Sequence, residues 1–238
     1  MKLNLPVSNN EDEFFVSLRT VDISVPARTN GRSTEHTEIW TGCRVLATLG
    51  KHNRLKFPVA VTHRDRPDFL IQLGDSNVGI EITEAIPTQY AEYAALAERE
   101  FPEVFLDYGH FRWGSRKMSL KKMRQLLSQD CLTAPPWEGK SAEIEWANYI
   151  ECSIRTKTAK LAQEDFAKYS SNWLAIYNNL PVPNVHLQDA VTLLRAKIND
   201  IWSQIPTYDT IFIEHGPVLV EITGTTAEHH VLFDLWGL

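Results

Sequence analysis

Two carboxylates stand where burial would favour valine or isoleucine. The stretch RPDFLIQLGDSNVGIEITEA, residues 66–85, holds two short apolar runs, with Asp68 heading the first and Glu81 inside the second. A turn-rich GlyAspSerAsn at 74–77 separates them, so the runs at 68–73 and 78–83 are expected to pair as a hairpin. Alternation then puts Val78, Ile80 and Ile82 on one face and Gly79, Glu81 and Thr83 on the other. If Asp68 and Glu81 share a small volume, each raises the other's pKa unless a cation neutralises both. A hard divalent ion, Mg²⁺ or Mn²⁺, suits such a pair, because it takes oxygen ligands and accepts one or two protein carboxylates.

The surrounding elements must position that pair. Upstream, Ser33 or Thr34 can cap a helix that runs to Gly50, with Glu35 and Glu38 in its first turns and Ile39, Cys43 and Leu46 at helical spacing. The run at 57–62 reads as a further strand. Downstream, a helix is expected over about 143–170, where Ile150, Ile154, Lys157 and Leu161 fall at i, i+4, i+7 and i+11. That spacing puts Lys157 on the apolar stripe facing the sheet, where an ammonium needs acidic partners. Lys160, about 60° further round the helix, is the second choice.

A strand at 173–177, a helix over about 187–204 and a final hairpin complete the pattern. The expected fold class is α/β, a mixed central sheet flanked by helices with an inserted helical lobe. Residues 1–32, with the β-like fragments FFVSL and VDISV, read as an N-terminal arm or edge strand, and 33–238 as the α/β domain. The insertion, at about 87–147, has little periodic apolar content and closes on a proline-rich stop.

The order of a helix bearing Glu38, ProAsp at 67–68, and Glu81 one residue before Thr83 resembles the core of the PD-(D/E)XK nuclease superfamily, over about 34–86 and 143–178. The resemblance implies a restriction-endonuclease-like fold and Mg²⁺-dependent phosphodiester hydrolysis, with DNA ahead of RNA as substrate. It implies that Asp68, Glu81 and the backbone carbonyl of Ile82 ligate the metal, with Glu38 as an accessory acid. Thr83 stands where that family usually carries the lysine that orients or activates water, and a threonine cannot supply the charge. Lys157, or Lys160 after it, would take over that role, as a shifted lysine does in variants of the superfamily. Dimers are common in the superfamily, so a homodimer is one partner the resemblance leaves open.

Six cations in thirteen residues, Arg112, Arg116, Lys117, Lys121, Lys122 and Arg124, are interleaved with Phe111 and Trp113 and form the candidate nucleic-acid-binding run. A formal charge of −6 and a pI near 5.8 exclude a uniformly basic surface, so any such contact is local. Three scattered cysteines without a CxxC pair suggest neither a disulfide framework nor a zinc site, and the chain reads as cytoplasmic. No stretch reaches the roughly 18 uncharged apolar residues of a membrane span. Walker, GxGxxG and GxSxG motifs are absent, and no HxH or HxxxH spacing points to a histidine-held metal. His63 reads as a loop residue near Asp68.

Plainer readings stand beside these. The carboxylates could face solvent, Lys157 could snorkel, and the basic run could be a solvated helix face. ValGluIleThr at 220–223 nearly repeats IleGluIleThr at 80–83 without a preceding ProAsp, so the short string alone is cheap. The main rival is a catalytically inactive nuclease-fold protein that binds nucleic acid or a protein partner, supported by the missing lysine after Glu81. A hydrolase of small phosphate esters is a third reading, and it would leave the basic run unnecessary.

Overall fold

Apolar alternation along the chain resolves, in the computed structural model, into one sheet. Residues 3–129 and 131–237 are described. Its eight strands lie side by side in chain order: β1 (Asn4–Ser8), β2 (Val59–His63), β3 (Phe69–Leu73), β4 (Ser76–Ala85), β5 (Ser171–Asn178), β6 (Thr210–His215), β7 (Val218–Ile222) and β8 (Ala227–Val231). The β4–β5 and β5–β6 pairs are parallel and the rest antiparallel, so the sheet is mixed as expected. Parallel neighbours need crossovers, which here carry helices. The helices among the described residues are α1 (Glu11–Arg19), α2 (Thr34–Lys51), α3 (Thr88–Glu100), α4 (Leu120–Gln129), α5 (Ser141–Leu161) and α6 (Leu187–Lys197).

Both faces of the sheet are covered. Ile80 and Ile82 pack with Phe69, Ile71 and α2 residues Cys43 and Leu46, while Leu174 and Ile176 pack with Ile150, Ile154 and Leu161 of α5 and Leu194 of α6. Each fully buried Leu or Ile contributes about 1.5–3 kcal/mol relative to exposure. Gly42 allows α2 to approach β3 closely, because a Cβ there would run into the Phe69 ring. That approach brings the first turns of α2, with Glu38, over the head of β3.

Several expectations need correction. FFVSL belongs to α1: the Asn10 side chain accepts from the Glu13 N–H at 3.0 Å, three acids fill the first turn, and Phe14 and Leu18 are buried four residues apart. Of the two readings of residues 1–32, the edge strand is the one found: β1 is the first strand of the sheet and pairs with β2, and Phe14, Leu18 and Ile23 join the main core. VDISV lies in no regular element. The helix expected to reach 170 ends at Leu161, and the one at 187–204 is α6 followed by a 3-10 turn at Asn199–Ser203. The inserted lobe has a small core of its own, with Tyr93, Leu96, Phe111, Met123 and Leu127 buried together. No described helix is long and apolar enough to cross a membrane.

Candidate metal centre

The site forms where β4 outruns its neighbour. The β3–β4 register begins with Phe69 opposite Ile80, yet β4 continues to Ala85, so its last residues lack a β3 partner. Asp68 sits at the head of β3 and fills that gap: its Oδ2 accepts the Ile82 N–H at 2.6 Å. An otherwise unpaired strand N–H thus fixes the carboxylate beside Glu81, the residue that continues the register opposite Asp68.

Glu81 is only 6% exposed. Its Oε1 accepts from Lys157 Nζ at 2.5 Å, while its Oε2 is buried with no hydrogen-bond partner. An unsatisfied buried acceptor costs about 1–3 kcal/mol, more when charged. The Asp68 carboxyl is pushed up to about 7, first by burial and then by the charges of Glu81 and Glu38, against the opposing pull of the Ile82 N–H and Lys157. Glu38, on α2, is held by His63, whose Nε2 lies 3.1 Å from Glu38 Oε2. Three carboxylates thus gather around one ammonium.

These features fit a hard divalent cation. The donors are carboxylate oxygens, negative charge is in excess, and one buried carboxylate oxygen waits for a partner. Beside the pair, Glu38, Ile82, Thr83, Glu84 and Lys157 line a pocket of about 170 Å³, whose lining does not include Asp68 or Glu81 themselves. Asp68, Glu81 and the Ile82 carbonyl are the residues that would hold the ion, and Thr83 brings a hydroxyl but no charge.

Lys157 faces the sheet as its spacing requires, whereas Lys160 is exposed and does not line the pocket. The basic run divides. Arg112 is turned inward: its guanidinium donates to the carbonyls of Pro135 at 2.5 Å and Pro136 at 3.0 Å and lies 4.2 Å over the Trp137 ring. Arg124 grips Glu100 through two bonds of 2.8 and 3.0 Å. Arg116, Lys117, Lys121 and Lys122 remain exposed on the lobe.

Two site residues escaped the sequence. His63 is the buried last residue of β2 rather than a loop residue, and Val59, Val61 and His63 alternating inward were the available signal. Tyr208 is buried beside the acids: its hydroxyl donates to the Lys157 carbonyl at 3.3 Å, and burial, then Glu81 and Asp68, push its pKa well above the phenol range. No sequence pattern marks it.

A second carboxylate group, Glu221, Glu228 and His230, has ligand atoms within 4.8 Å of one another. Glu221 is the counterpart of Glu81 in the repeated string, and the contrast is informative. Its Oε1 is bonded to Arg54 at 2.6 Å and its Oε2 to His230 at 2.8 Å, so an arginine already occupies the place of a cation. We read it as an ion-pair network joining α2's C-terminal loop to β7 and β8. Comparison of the chain with protein-family models, with curated proteins and with solved structures finds no match.

Proposed function

We propose that this protein is a divalent-metal-dependent phosphodiester hydrolase of the PD-(D/E)XK type, restriction-endonuclease-like in fold, acting on nucleic acid with DNA ahead of RNA. The observation that carries the reading is the convergence of Asp68, Glu81 and Lys157, from a hairpin and a helix 76 residues away, around the unpartnered Glu81 Oε2. The mixed sheet with helices on both faces is compatible with that fold.

A bound Mg²⁺ or Mn²⁺ would supply Lewis-acid polarisation of the scissile phosphate and a lowered pKa for water. The chain's own residues do the rest. Lys157 has three N–H donors and spends one on Glu81, leaving others to stabilise charge growing on phosphate oxygens or to position the attacking water. Glu38, oriented by His63, accepts a hydrogen bond from that water. The exposed Arg116, Lys117, Lys121 and Lys122 offer the strand a basic rail.

One observation favours the rival, a nuclease-fold binder without activity: Thr83 brings no charge to the pocket, and Lys157 is already committed to Glu81. Incubation with single-stranded and duplex DNA and RNA, in Mg²⁺, Mn²⁺ or EDTA, separates the two. Metal-dependent cleavage abolished by Asp68→Asn supports the hydrolase; binding without cleavage under every condition supports the rival.

A further inference from the structure

Three cavities meet at Thr37. The first is the carboxylate pocket. The second, about 210 Å³, is lined by Arg28, Arg32, Ser33 and Glu84. The third, about 270 Å³, is lined by Val25, Arg32, Trp40 and Tyr177. Glu84 borders the first two and Arg32 the last two, so the three are one groove.

We propose that this groove holds one unpaired nucleotide next to the scissile bond, with its phosphate on Arg28 and Arg32 and its base between Trp40 and Tyr177. The substrate is therefore a single strand or a frayed end. The inference rests on the nuclease reading for the identity of the bond that is cut.

The charge pattern favours it. Arg28 and Arg32 lie 3.1 and 3.4 Å from the same Glu84 oxygen, which also accepts from Asn179 at 2.6 Å, so one carboxylate faces two guanidiniums. Arg32 is further held by Thr37 Oγ1 at 3.1 Å. The guanidiniums are thereby pre-oriented while the spot keeps a positive excess beside an acidic site. Side-chain exposures of 26% and 18% leave them reachable but partly dehydrated, which strengthens a charge-assisted bond to phosphate.

The aromatic slot is likewise held in place. Arg44 lies 4.6 Å over the Trp40 ring and 3.2 Å from Glu214, pinning the indole from one side. Flat rings beside a phosphate subsite stack on any base, whereas a base inside a duplex must first unpair and unstack to enter.

Fluorescence anisotropy on the full chain in EDTA tests this, using oligothymidine of about 12 nucleotides and a blunt duplex of equal length. Tighter binding of the single strand is expected. Arg28→Gln/Arg32→Gln should weaken it about tenfold or more, and Trp40→Leu about fivefold or more, with Trp40→Phe retaining affinity. Should Trp40→Leu fail to fold, Tyr177→Leu reads the same slot. Equal binding of strand and duplex, or folded variants within about twofold of wild type, overturns the groove. The two readings fail separately. Cleavage and metal binding untouched by the groove variants would sink this inference alone. Arginine- and Trp40-dependent strand binding without metal binding or cleavage would keep the groove and remove the hydrolase.

Discussion

Lys157 Nζ lies 2.5 Å from Glu81 Oε1, across 76 residues of chain, and both side chains are largely buried. The pair ties α5 to β4 at the point where α2 also arrives. It sets the site's geometry and at the same time neutralises only one of three gathered carboxylates.

Removing one partner leaves the other buried and uncompensated. Lys157→Met should cost about 3 kcal/mol, and at about 2–4 °C per kcal/mol for a chain of this size the melting temperature should fall by roughly 10 °C. Lys157→Met/Glu81→Gln should recover more than half of that loss. A single variant that melts like wild type would show that the pair is not buried in solution.

Asp68 couples stability to pH. Its folded-state pKa, about 7, lies above the usual 3.8, so the folded protein prefers the protonated form. The associated stability is fully present below the unfolded value and is lost as pH rises through about 7. Asp68 should therefore withdraw about 2–4 kcal/mol from the metal-free protein between about pH 4 and mildly alkaline pH, read as the difference between wild type and Asp68→Asn. Asp68→Asn should flatten that slope and melt at or above wild type at neutral pH, while saturating Mg²⁺ should flatten it in wild type. Thermal melts across pH check all three.

The lobe is held shut by a different carboxylate. Asp107 is 5% exposed and accepts from the Thr133 and Ala134 N–H groups at 2.5 and 2.9 Å. Burial alone would raise its pKa, but those bonds and His110 outweigh burial and hold it below the usual range. This contribution is present above the unfolded value and is lost as pH falls through the depressed one. Asp107→Ala should cost about 1–3 kcal/mol locally, raising hydrogen exchange across 88–129 while the sheet stays protected. Uniform loss of protection would contradict a separately opening lobe.

Thiol chemistry offers a check on packing. Burial pushes the Cys43 thiol up to about 12, whereas Cys131 and Cys152 are exposed. A thiol reagent should modify Cys131 and Cys152 in the native protein and reach Cys43 only after denaturation. Rapid labelling of Cys43 would mean that α2 does not pack on β3 as described.

Much of the site was legible because it depends on local periodicity. Strand alternation takes Glu81 off the face of Ile80 and Ile82, and helical spacing turns Lys157 toward the sheet; that the two surfaces face each other is shown by the fold. The residues missed depend on distant partners. Tyr208 meets the acids only because β6 lies next to β5, and the Arg28–Arg32 pair matters only because Glu84 lies between them. Arg112 and Arg124 read as a nucleic-acid rail because their partners, Pro135, Pro136 and Glu100, are more than twenty residues away. The strand Ala227–Val231 escaped for another reason: an edge strand of sequence AEHHV buries no residue and shows no apolar alternation. In α1 the signal was present, since Asn10 before three acids is a helix start, but the aromatic run FFVSL outweighed it.

The most direct test is calorimetric titration of Mg²⁺ or Mn²⁺ into wild type and into Asp68→Ala/Glu81→Ala, with circular dichroism confirming both folds. The account predicts saturable binding by wild type that disappears in the folded double variant. Equal binding by the two proteins, or none by wild type even with an oligonucleotide present, would contradict a metal centre at this carboxylate pair.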